Sequence, residues 1–134
     1  MSHRFLLDTN ILSELTLQPQ GRVADHITKE GEETVCTSIV VASELRFGAA
    51  KRGSSRLTAQ LEEILSVIDI LPLEPPVDRH YAALRVHLER AGTPIGPNDL
   101  WIAAQGLSLN LIVVTANIKE FTRVLRLVVE NWAE

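Results

Sequence analysis

Phe5-Leu6-Leu7-Asp8-Thr9-Asn10 is a short apolar run that stops abruptly at three oxygen-bearing side chains. Such a run, followed at once by Asp-Thr-Asn, reads as a buried strand feeding a helix. The same alternation continues along the chain. Strands are predicted at Thr34–Ser38, Ile70–Leu73 (closed by Pro75-Pro76), Leu111–Val114 and, briefly, Leu127–Val129. Between them fall helices at about Ile11–Leu17, stopping before Pro19, and Val23–Glu30, ended by Gly31. A mostly buried helix should run from Ile39 with Ser38 as its N-cap, and an amphipathic one from Ser55 to Val67. Asp78 should cap a helix ending at Gly92, and a last one should begin after Gly96-Pro97. Strands alternating with helices indicate an α/β three-layer sandwich around a mainly parallel sheet. Functional groups of such sheets gather beyond the carboxyl ends of the strands, where Asp8 falls and where Thr115, Asn117 and Glu120 should follow.

A chain of 134 residues suits one core, so residues 1–134 are expected to form a single domain. No apolar run approaches the roughly 18 to 20 residues of a membrane helix, and the apolar stretch after Met1-Ser2-His3-Arg4 is too short for a signal-peptide core. A cytoplasmic location is expected, which the lone Cys36 fits, since it has no partner for an internal disulfide. The net charge of −4 argues against a protein that coats itself on nucleic acid, but two bound divalent cations would cancel it. Arg46, Lys51, Arg52 and Arg56 also lie close together and offer a local basic rim for phosphate.

Four carboxylates carry the chemistry. Asp8 serves as an N-cap or, with Thr9 and Asn10 beside it, as part of a metal site at the sheet edge. Glu44 has Val40, Val41, Phe47 and Gly48 at helical spacing and no cation among them, so it needs a distant partner, either an Arg or a metal. Asp99 lies in a helix's first turn, where the dipole favours it and where Asn98 is an equally good cap. Glu120 sits in the polar turn Asn117-Ile118-Lys119-Glu120, near the hydroxyl of Thr115 and the amide of Asn117. The histidines at 3, 26, 80 and 87 follow no zinc spacing and read as surface or structural. Trp101 and Trp132 read as packing anchors. No nucleophile elbow, phosphate-binding glycine loop or dinucleotide fingerprint occurs.

Four blocks, in order and spacing, resemble PIN-domain ribonucleases, and among them VapC-type toxins of bacterial toxin–antitoxin pairs. They are Phe5–Asn10, Ser43–Ala49, Gly92–Ala103, and Val113–Asn117 with Glu120-Phe121; the finish Val128-Val129-Glu130-Asn131-Trp132 is similar to that of many members. The resemblance covers essentially the whole chain. It implies a five-stranded parallel sheet flanked by helices and a metal-dependent endoribonuclease site. Asp8, Glu44 and Asp99 would then be the principal metal ligands, and Glu120 a more variable fourth acidic position that assists a second ion or orients water. Asn10, Thr115 and Asn117 would be supporting polar residues around one or two Mg²⁺ or Mn²⁺ ions. The implied partners are RNA as substrate, a second copy of the chain in a homodimer, and a VapB-type antitoxin in a hetero-oligomer that reaches operator DNA only through the antitoxin. The antitoxin's tail would cover the acidic pocket. Ala116 departs from the larger polar or basic residue common there, which bears on substrate contacts. The main alternative from another class, a Mg²⁺-binding phosphoryl-receiver domain, lacks its acceptor Asp after the third strand, Leu73-Glu74-Pro75-Pro76, and its Lys after the fifth. A haloacid-dehalogenase-like phosphatase would want Asp where Asn10 stands.

Overall fold

A computed structural model describes residues 2–134. In chain order the elements are β1 (Phe5–Leu7), α1 (Thr9–Leu17), α2 (Arg22–Glu30), β2 (Val35–Ser38), α3 (Ile39–Arg52), α4 (Ser55–Val67), β3 (Asp69–Leu71), α5 (Val77–Arg90), α6 (Pro97–Leu109), β4 (Ile112–Val114), α7 (Ile118–Phe121) and β5 (Val129–Glu130). A 3₁₀ turn, Glu32–Thr34, leads into β2. The five strands form one sheet of order β3-β2-β1-β4-β5, every neighbouring pair parallel. Strand order reverses between β1 and β4, because β2 and β3 extend to one side of β1 while β4 and β5 extend to the other. A crevice is left there beyond the carboxyl ends of those two strands. In register, Leu7 faces Thr37 on one side and Val114 on the other, so Asp8 and Thr115 emerge together into the crevice.

Successive side chains of β1 point to opposite faces of the sheet, yet Phe5, Leu6 and Leu7 are all buried, so helices cover both faces. The core gathers these residues with Ile11, Leu12, Val41, Leu61, Leu65, Leu88, Ile102 and Val113. Trp132 closes it from the C-terminal tail, packing tilted against Phe5 and stacked on His26, with its Nε1–H donating to Glu130. Trp101 stacks on Tyr81, so both tryptophans are packing anchors. Cys36 is a buried small side chain on β2. Among the described residues no helix is long and apolar enough to cross a membrane.

Several local expectations need correction. Helix α3 is not mostly buried: only Val41, Ala42 and Ala49 are enclosed, while Phe47 is 68% exposed. Its alanines and glycine make it apolar without giving it a wide packing face. Asp78 does not cap α5; Pro76 is the N-cap, and Asp78 lies in the first turn, where its charge complements the dipole. Neither Asn98 nor Asp99 caps α6, which begins with Gly96 as N-cap and Pro97 at the first helical position. The turn at 117–120 contains the short helix α7. Strands β3, β4 and β5 are shorter than expected or displaced by one to two residues, as ends usually are. Ser38, in contrast, does cap α3 through Val40 N–H.

Candidate active site

Asp8 stands at the centre of the crevice. It is the N-cap of α1, 3% exposed, and its Oδ1 accepts the backbone N–H of Thr9 at 2.8 Å. Its Oδ2 accepts the Thr115 hydroxyl at 2.7 Å and the Asn10 amide at 3.3 Å. The capping and site-forming readings of Asp8 therefore hold together, since the cap uses one oxygen and the crevice network the other. Thr115 in turn accepts the N–H of Asn117 at 2.9 Å, and Asn10 Oδ1 accepts the N–H of Ala116 at 2.8 Å. Position 116 thus joins the network through its backbone, which any non-proline residue there supplies.

Glu44 finds neither arginine nor lysine. The Thr9 hydroxyl donates to its Oε1 at 2.7 Å, tying α3 to the start of α1. Asp99 arrives from the first turn of α6 and accepts the Asn117 amide at 3.2 Å. The same amide donates to Glu120 Oε2 at 2.7 Å, and Glu120 Oε1 accepts Gly96 N–H at 2.8 Å. Asp8, Thr9, Asn10, Ser13, Glu14, Glu44, Asp99 and Asn117 line one open cleft of about 520 Å³. Thr115 lies behind Asp8, and Glu120 is attached through Asn117 and Gly96 without lining the cleft. Thr9 and Glu44 also border an adjoining groove of about 340 Å³ between α1, α3 and α4, whose far wall includes Leu57, Leu61 and Arg52.

Ser13 and Glu14 are cleft residues that the sequence reading missed. Each lies four positions after a residue already singled out, Thr9 and Asn10, and that spacing places them on the same helix face. The expected basic rim is reduced by one member, because Arg46 is held in a two-pronged pair with Glu62. Lys51, Arg52 and Arg56 are exposed.

The electrostatics set Asp99 and Asp8 apart from Glu120. Asp99 is pushed up to about 7 by burial first, then by the charges of Asp8, Glu120 and Glu44. Asp8 is also raised, mainly by burial and further by Glu44, against the opposing bonds from Thr115 and Thr9. Glu120 moves the other way, held low by the Gly96 N–H and the Asn117 amide. Among the described residues no three His, Cys, Asp or Glu side chains stand in ready metal-ligating geometry. Like charge opposes closer approach, and each carboxylate is tied instead to a hydroxyl or amide donor. The donor set is nonetheless all hard oxygen and amide, with no thiol or imidazole lining the cleft, which fits Mg²⁺ or Mn²⁺ rather than zinc.

A parallel α/β sheet bearing convergent carboxylates at its switch point defines a class of acid-lined site. The chain matches the PIN domain over residues 5–127 and belongs to that family. It is 33% identical over 130 residues to ribonuclease VapC2 of Haemophilus influenzae, covering 96% of this chain and 98% of that one. It is 35% identical over 131 residues to the tRNA(fMet)-specific endonuclease VapC of Shigella flexneri, covering 97% and 98%. Among solved structures, VapBC2 of Rickettsia felis bound to a promoter DNA fragment superposes with a TM-score of 0.87 at 30% identity, over 98% of this chain and 99% of that one. DNA-bound VapBC of Salmonella typhimurium gives 0.89 at 31% identity, over 97% and 98%.

Proposed function

We propose that this chain, residues 1–134 acting as one domain, is a metal-dependent endoribonuclease and the toxin of a VapBC module. The observation that carries this reading is the convergence of Asp8, Glu44 and Asp99, from three separate elements, on one cleft at the sheet's switch point. The names of the similar proteins support the substrate class, and the VapBC complexes support the partner. Asp8, Glu44 and Asp99 would hold the principal ion. A divalent cation bound there supplies Lewis acidity, acidifying water and offsetting charge on a phosphodiester.

The chain's own residues do the positioning. Thr115 and the α1 N-terminus fix Asp8, Thr9 fixes Glu44, and Asn117 turns Asp99 toward them. Asn10, Ser13 and Asn117 offer neutral donors to phosphate or ribose oxygens without adding negative charge. Arg52 lines the adjoining groove and, with the exposed Lys51 and Arg56 near it in sequence, would attract the RNA backbone. No lysine or histidine lines the cleft, so its carboxylates are the lining groups that would take a proton from water. A VapB-type antitoxin would cover the cleft and carry the complex, built on a toxin homodimer, to operator DNA. Such a nuclease acts in the cytoplasm.

Incubation with end-labelled RNA tests this reading. Cleavage is expected with Mn²⁺ or Mg²⁺, none in EDTA, and little by the antitoxin complex. Equal cleavage in EDTA, or by an Asp8→Ala variant with added metal, would remove the assignment.

A further inference from the structure

Residues 117–123 hold the first turn of α6 and the segment that leads into it at three separate places. The Asn117 amide binds Asp99 and Glu120, Glu120 binds the N–H of Gly96, and the Arg123 guanidinium donates to the carbonyl of Pro94 at 3.0 Å. Of its own the gripped segment has the bond from Thr93 N–H to the Leu88 carbonyl and the packing of Ile95 on the core. Gly92 to Pro94 are exposed, and Gly96, the N-cap of α6, has no side chain with which to fix the helix start. Asp99 lies three residues beyond that start and faces the charges of three other carboxylates. A first turn carrying so repelled a group needs an external fastening if the carboxyl is to stay on the cleft.

Glu120 is placed for that task rather than for ligation. Its oxygens accept bonds from Gly96 and Asn117, and, unlike Asp8, whose oxygens also accept bonds, it is not among the residues lining the cleft. Gly96 N–H is one of the orphan donors of a helix start, so Glu120 supplies from α7 the cap that Gly96 lacks. We propose that Asn117, Glu120 and Arg123 form a clasp that positions Asp99, and that Glu120 is a positioning residue rather than a metal ligand. The metal half of this inference rests on the cleft being a cation site, whereas the clasp itself does not.

Arg123→Ala separates the possibilities because the competing effects have opposite sign. Arg123 is a cation beside an acidic cleft, so by charge alone its removal tightens binding of a divalent ion. Loss of the clasp loosens it. Hydrogen exchange of the metal-free protein over residues 93–100 and calorimetric titration with Mn²⁺ are the two readouts, with Glu120→Ala as a second variant. Exchange at Gly96 and the first turn of α6 should speed up about tenfold in both variants. Mn²⁺ binding should weaken roughly three- to tenfold in Arg123→Ala, the loss expected from one hydrogen bond. Unchanged exchange in either variant overturns the clasp, as does equal or tighter Mn²⁺ binding by Arg123→Ala. Lost Mn²⁺ affinity in Glu120→Ala with exchange unchanged would make Glu120 a ligand after all. If the wild type binds no Mn²⁺, the cation reading fails and the exchange result alone decides the clasp.

Discussion

Asp99 is held, in the metal-free protein, where it cannot comfortably be charged: partly buried and facing Asp8, Glu120 and Glu44. Its carboxyl moves from 3.8 to about 7, so between those values the native state binds a proton that the unfolded chain has lost. Stability in EDTA must therefore fall as pH rises through that window and level off above it. Asp8 is shifted in the same direction, while the lowered carboxylates Glu62 and Glu120 act below their ordinary 4.5. A thermal scan between pH 5 and pH 8 covers the Asp99 window; the expected outcome is a midpoint that drops with pH in the wild type and a flatter profile in Asp99→Asn. Thr115 is the other decisive residue, since its hydroxyl donates to Asp8 and accepts from Asn117. Thr115→Val keeps the shape and removes these two bonds together with the longer one from the Asn10 amide at 3.3 Å, at a cost of about 1–3 kcal/mol in urea unfolding at neutral pH. A variant as stable as wild type would show that the network is decorative.

At the scale of elements, α6 must lie close against β4 for Asp99 to reach the crevice, and Gly106 permits the approach. A Cβ there would stand 2.9 Å from Val113 Cγ2 and 3.1 Å from Leu127 Cδ1. Gly106→Ala gains about 1 kcal/mol in helix propensity and loses about 1–3 kcal/mol by overpacking the stiff, buried Val113. A net loss near 1 kcal/mol and weaker RNA cleavage are expected; a more stable and equally active variant would contradict the fit. The elements that were legible in the sequence are those with local causes. β1 and α1 announce themselves through an apolar run ending in a capping residue, and α4 through its apolar stripe, realised at Ser55–Val67 as expected. α7 escaped because four residues are too few to show a period. The exposure of Phe47 escaped because an apolar composition does not say which face a helix turns inward. The juxtaposition of Asp99 with Asp8 was carried by family resemblance, because it depends on β4 lying beside β1, and everything from α1 to α6, including the two helices between β3 and β4, separates those strands and hides the adjacency from any local pattern.

For the whole molecule, a net charge of −4 and an acidic cleft work against an RNA partner unless a cation intervenes. Salt and metal should therefore act in opposite ways: added Mn²⁺ raises both RNA affinity and thermal stability, the latter more at pH 7.5 than at pH 5, while added monovalent salt weakens RNA binding. The same convergence of carboxylates explains why mutation of Asp8, Glu44 or Asp99 should each remove metal binding without unfolding the chain, as relief of repulsion offsets lost bonds. The most direct measurement is anomalous diffraction from crystals of the wild type soaked in Mn²⁺. A single strong peak within about 2.5 Å of carboxylate oxygens from Asp8, Glu44 and Asp99 is the expected result. Well-diffracting soaked crystals with no peak in the cleft, or with Mn²⁺ bound only elsewhere, would contradict the shared cation on which the nuclease assignment depends.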